Sequence, residues 1–252
     1  HLPALVRKTG WEWRGDFFDV DLPAPIELHF RLWDSEFERI SLVIDPEPLA
    51  RLVERDGVHA LYWRDQLLYG ALHAMRHLFR GNLRLAHLYE VAYFLDTQAA
   101  NSERWREWRE SANVPLRRLC ATCFALAARV FRCRLSPQLE AEMALLPRQA
   151  GNWLEKYLGS VLEPERSRKV EVLLQLSFVE GRRDRLRVLQ RRLLPLSLPD
   201  PVDGALLPKE ALTPARRLRR AARQARYIAS RAAFHLRALP GFLRAAAGWW
   251  RS

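Results

Sequence analysis

The 252-residue chain is poor in sulfur, with three cysteines and two methionines. An odd, low cysteine count excludes a disulfide framework and suits a reducing compartment, so a cytoplasmic location is expected. Long apolar runs are missing too. The longest charge-free run near the middle, Cys120 to Ala128, is far too short to span a bilayer. The opening residues "HLPALVRKTG" have no apolar core or cleavage pattern of a signal peptide. They also lack an initiator Met, which suggests a piece of a longer protein. The chain contains no G-x-S-x-G, no P-loop and no G-x-G-x-x-G. No repeat of solenoid period is visible.

What is present is a hydrophobic fraction of 49%, enough for a sizeable core. The net charge of +12 is uneven: residues 205–252 hold 11 Lys/Arg and one acid, Glu210. The basicity therefore belongs to the C-terminal segment.

Residues 1–45 read as β, with strand candidates "LPALVRK", "WEWRGDFF", "PIELHFRLW" and a short "RISLVI". From Asp45 the apolar period becomes helical. "DPEPLARLV" opens with Pro in its first turn. Helices follow over 64–80, 83–97, 102–111, 115–131, from Pro137, and near 149–161, 166–178 and 182–193. Ser102 starts a partial capping-box pattern, and Ser136 with Pro137 is a strong helix start. Residues 194–214 contain five prolines and read as a linker. The expected organisation is 1–45 sheet strands, 46–193 helical domain, 194–214 linker and 215–252 basic helical tail.

Three groups of residues carry chemistry. On the strand "PIELHFRLW", side chains two apart share a face, so Glu27, His29 and Arg31 stand together. A Glu27–Arg31 ion pair explains that face plainly. A metal-binding carboxylate on a rigid strand is the sharper alternative. His73 and His77 are four apart on one helix face, a spacing that ligates zinc, but the Glu of H-E-x-x-H is absent. A hydrogen-bonded pair packed on the sheet is the alternative. Cys120 and Cys123 form a C-x-x-C inside a helical pattern, which reads as two small core residues. Asp16, Asp19 and Asp21 lie between Gly15 and Pro23 and read as turn residues.

The stretches Ile26-Glu27-Leu28-His29-Phe30, His73 with His77, and Leu85 through Glu90 occur in one order. That order resembles the uncharacterised nucleotidyltransferase family of the polymerase-β-like superfamily, over about residues 1 to 130. The resemblance implies that the N-terminal strands are the remnant of a small mixed sheet, and with the periodicity above the expected fold is α+β: that β remnant, a mostly helical body and a basic C-terminal helix. It implies three carboxylates holding a divalent metal, Mg²⁺, for transfer from a nucleoside triphosphate to a hydroxyl acceptor. Glu27 would be the third carboxylate, with His29, Arg31, His73 and His77 facing substrate. The first two carboxylates would come from a D-x-D behind a Gly-Ser turn, expected upstream of His1. Asp19-Val20-Asp21 is out of place for it, so this chain alone is expected to be inactive.

The tail has its own reading. Leu218, Ala222, Ala225, Ala229, Ala232, Leu236, Leu239 and Leu243 mark one helical face, and Arg216 to Arg226 crowd the other. An anionic membrane surface, with Phe242, Trp249 and Trp250 at the interface, is one expectation for 216–250. Nucleic acid is a weaker one, since no aromatic interleaves the arginines. A helix packed on the body by its alanines is the third. Pro240 is expected to break or kink the helix near Leu239. A non-catalytic binding module anchored by this tail is the alternative function.

Overall fold

The computed structural model describes residues 32–44, 51–55, 57–98, 100–161, 169–194 and 214–250. The strand candidates within 1–31, with Glu27, His29 and Arg31, lie outside the described residues. Among the described residues there are ten helices and one two-stranded sheet. The protein is α+β with a mostly helical body. It divides into two compact units, one of residues 31–193 with 238–252, the other of 1–30 with 194–237.

In the larger unit, a single helical turn, α1 (Ser35–Glu38), comes first. Asp34 caps it, accepting from the Phe37 N–H at 2.9 Å. Arg39 closes it in the left-handed region, at φ 58°. The expected strand over "RISLVI" does not form: after Glu38 the chain runs on to Ile44 without pairing. Ile40 instead turns its carbonyl to the Trp33 indole N–H (2.9 Å).

A second expectation is also corrected. The segment read as a helix from Asp45 to Val53 ends in strand β1 (Leu52–Arg55), which pairs antiparallel with β2 (Val58–Leu61). Gly57, at φ 75°, supplies the left-handed turn between them.

The helices then follow the apolar period closely. They are α2 (Trp63–Arg80), α3 (Leu85–Gln98), α4 (Ser102–Ser111) and α5 (Val114–Phe131). The N-cap of α4 is Asn101 rather than Ser102, its side chain accepting from the Arg104 N–H at 3.0 Å. Asn113 caps α5 likewise. Ser136 caps α6 (Pro137–Met143) as expected, accepting from Leu139 N–H at 3.2 Å. Three more helices complete the body: α7 (Arg148–Val161), α8 (Glu171–Leu176) and α9 (Arg182–Leu193).

Helices α2, α3 and α5 pack on one another and form the centre of the core. α5 is buried almost all round, from Leu116 and from Leu119 to Ala128. Such a helix needs apolar cover on every side. Phe124 receives the rings of Trp105 and Trp108 from α4, at 6.2 and 5.7 Å.

Cys120 and Cys123 are core residues of this helix, fully buried. Burial pushes both thiols up, Cys123 to about 12, so neither forms a thiolate near neutrality. A thiol-specific chromogenic reagent should therefore modify only half-buried Cys133 in the folded protein, and slowly. All three should react in denaturant. Fast native-state reaction at Cys120 or Cys123 would refute the core assignment.

The last helix, α10, runs unbroken from Pro214 to Trp249. The expected break at Pro240 is absent. The missing proline N–H costs a hydrogen bond, of order 3 kcal/mol with the ring clash. Burial of Ala238, Phe242, Ala245, Ala246 and Trp249 on the following turns offsets it. Residues 238–249 thus belong to the core of the larger unit. Phe242 and Trp249 are not available to a membrane surface, which corrects that part of the tail reading. Only Trp250, 60% exposed, remains accessible. Among the described residues no helix is long and apolar enough to cross a membrane.

Candidate functional site

Helix α2 ends at Gly81, which takes φ 71° and donates its N–H to Leu78 O (2.9 Å). Asn82 N–H closes the turn on His77 O at 3.0 Å. This left-handed cap reverses the chain within a few residues, and a side chain at Gly81 would be strained there. α3 then returns along α2. Their contact is close at Gly70, where an added Cβ would stand 3.4 Å from Val91 Cγ2.

The reversal brings a third histidine to the expected pair. His87, in the first turn of α3, lies with its ring 4.8 Å from His73 and 4.3 Å from His77. The His73 and His77 rings are 4.5 Å apart. One ligand atom from each of the three falls within 4.8 Å of the others, and all three residues are half-buried. Tyr69, one turn before His73, stacks on it at 5.6 Å with an interplanar angle of 13°.

Asn82 Oδ1 lies 3.2 Å from His77 Nδ1. With the amide oxygen as acceptor, the tautomer that fits this contact carries its proton on Nδ1 and leaves Nε2 with its lone pair. Partial burial of His77 holds its pKa below the ordinary imidazole value. His87, Arg80 and Arg76 act in the same direction, and the Asn82 contact opposes them.

The sequence offered only a weak cue for His87, the Gly-Asn turn. His73, His77 and His87 flank a Gly-Asn turn, and a helix returning from that turn faces the one it left. The pair at four-residue spacing was visible without the turn; the third member was not. Among the described residues, this trio is the group of three or more His, Cys, Asp or Glu side chains able to converge on one metal ion. No described set of carboxylates does so.

Beside the trio runs an open groove of about 500 Å³, lined by Trp63, Gln66, Tyr69, Glu90 and Phe94 among others. Trp63 stacks on Phe94 at 5.8 Å, and the Arg104 guanidinium lies over Trp63 at 5.4 Å. Tyr69 therefore joins the two features, since it lines the groove and stacks on His73.

A profile of the uncharacterised nucleotidyltransferase family matches residues 5–132. That span is half of the chain. The chain belongs to this family. The match includes Glu27, His29 and Arg31, α1, the hairpin and all of α2 to α5. Both His73–His77 and His87 fall inside it. No curated protein and no solved structure matches the chain. As a nucleotidyltransferase-family protein it is nucleotidyltransferase-like, and the family implies a nucleotide substrate and generally a divalent metal.

Proposed function

We propose that this nucleotidyltransferase-family chain takes part in transfer of a nucleotidyl group from a nucleoside triphosphate to a hydroxyl acceptor. The observation that carries the reading is the family match over residues 5–132, which includes Glu27. Glu27 is the residue we assign to the metal, and His29 and Arg31 the residues that face the phosphates. His73 and His77 stand on the substrate side by the same family pattern. Mg²⁺ suits this chemistry because it takes hard oxygen ligands and neutralises charge on the triphosphate. One carboxylate does not build such a site, and the described residues supply no carboxylate set to complete it.

A test follows from that count of ligands. The 252-residue chain should turn over no nucleoside triphosphate with Mg²⁺ present. The protein expressed from the full coding sequence, if it carries a Gly-Ser turn and D-x-D upstream, should release pyrophosphate. In that protein Glu27→Gln should remove turnover by at least about tenfold, without shifting the thermal midpoint, because charge stabilisation at the metal is lost. Wild-type turnover by Glu27→Gln would end the assignment. Turnover by the 252-residue chain would show that the metal ligands lie elsewhere.

The second reading, a binding module held by its basic tail, draws on the exposed arginines of α10. Arg219, Arg223, Arg226, Arg231 and Arg237 are all exposed. They can neutralise phosphates of a lipid surface or of a nucleic acid.

A further inference from the structure

Three imidazoles from two helices, crowded at one place on the surface, are a costly arrangement if they serve packing alone. Protonated together they repel one another, and packed neutral they forgo much of their hydration. We propose that His73, His77 and His87 form a binding site for one divalent cation of the zinc type. The proposal stands on these side chains and does not depend on the transfer reading.

The geometry supports it first. The ligand atoms lie within 4.8 Å of one another. A tetrahedral zinc ion about 2.0–2.1 Å from each nitrogen holds them about 3.3 Å apart. The side chains are half-buried rather than locked in the core, so the proposal assigns the closing of that gap to rotation of the rings. The backbone is well fixed: α2 and α3 meet tightly at Gly70 and are joined by the Gly81 cap.

Ligand chemistry supports it next. Asn82 orients the His77 ring and leaves Nε2 to coordinate, the arrangement by which outer groups fix a metal-bound imidazole. Three imidazoles and no carboxylate select zinc, nickel, copper or cobalt over Mg²⁺ and Ca²⁺. Three protein ligands also leave a fourth position open to water or to a substrate oxygen. The groove that Tyr69 also lines is a space such a substrate could occupy. Two cations oppose the ion, since Arg76 and Arg80 both act on His77. Arg80 is neutralised in part by Glu38, at 3.0 Å.

The test uses the whole 252-residue chain, stripped of metal and titrated with Zn²⁺ by calorimetry, and with Co²⁺ as a spectroscopic probe. We expect one saturable equivalent that a large excess of Mg²⁺ does not displace. His77→Gln and His87→Gln should each weaken it at least about 100-fold, and Asn82→Ala about tenfold, as loss of a ligand and of an outer partner do. The Co²⁺ complex of the unaltered protein should show ligand-field bands without thiolate charge transfer. That readout holds even where a variant fails to fold. No saturable binding, unchanged affinity in both histidine variants, or a thiolate signal pointing to Cys133 would each overturn the site. Because the readout is binding, its failure leaves the transfer reading untouched, and failure of the Glu27 test leaves this one untouched.

Discussion

Replacing Glu38 by Ala should lower the unfolding free energy by about 3–5 kcal/mol, the cost of leaving buried charge without its partner. Glu38 is completely buried at the end of α1. Its carboxylate accepts from Arg80 Nη2 at 3.0 Å and Arg192 Nη2 at 3.1 Å. Gln175 donates to its backbone carbonyl at 2.8 Å and to the carboxylate at 3.3 Å. Arg192 also donates to Gln175 Oε1, so α1, α2, α8 and α9 share one network.

Burial holds the Arg192 pKa below its ordinary value, and Glu38 acts against that shift. Without Glu38 the guanidinium of Arg192, with a side chain only 13% exposed, keeps its desolvation and loses its counter-charge. The neighbouring Phe37 ring does not replace it. Arg80, Arg191 and Arg192 already lie 4.5–5.5 Å from that ring, and a cation over an exposed ring contributes at most about 1 kcal/mol. Urea denaturation measures the change. Arg192→Ala combined with Glu38→Ala should cost clearly less than the two separately, since the pair couples. Glu103→Ala, which breaks an exposed pair with Arg106, is the control and should leave the midpoint in place. A loss under about 1 kcal/mol for Glu38→Ala would mean the network is not formed.

Trp249→Ala is expected to destabilise the protein by about 3 kcal/mol, within the range for deleting a buried aromatic ring. Trp249 is 5% exposed and belongs to the core cluster with Phe242, Ala245 and Ala246. Trp250, its neighbour at 5.1 Å, points outward. Trp250→Ala should change stability by no more than about 0.5 kcal/mol.

The pair also decides what the tail does. On a membrane surface, of the three aromatic anchors expected from the sequence only Trp250 can contribute, and electrostatic binding comes from the exposed arginines of α10. Vesicle binding that rises with anionic lipid, falls with salt and weakens in Trp250→Ala supports the membrane reading. Salt-sensitive binding to nucleic acid, indifferent to Trp250, supports the other. If Trp249→Ala leaves the thermal midpoint unchanged, the packing of the last turns of α10 is not as described.

Much of the helical body was legible because its signals are local. The apolar period of 63–80 and 114–131 needs no partner to be read, and Ser136 before Pro137 marks a helix start by itself. The C-x-x-C read as core because it sits inside a largely apolar helical pattern with no second cysteine pair. The hairpin over 52–61 was legible in part. Asp56-Gly57 between two short alternating runs is a turn signal, but Pro46 and Pro48 suggested a helix start just before it. Strands of four residues give too few alternations to decide.

Other features exist only in the tertiary structure. His87 joins His73 and His77 because the Gly81 cap reverses the chain by a definite angle, which spacing does not encode. Glu38 and Arg192 are 154 residues apart, and nothing in "SEFE" marks its last acid as the buried one. The same holds for Trp249 and Trp250, adjacent in sequence and opposite in environment. Periodicity specifies which face of a helix is apolar. What covers that face, and which charge is carried under the cover, depends on elements far along the chain whose arrival is fixed by packing alone.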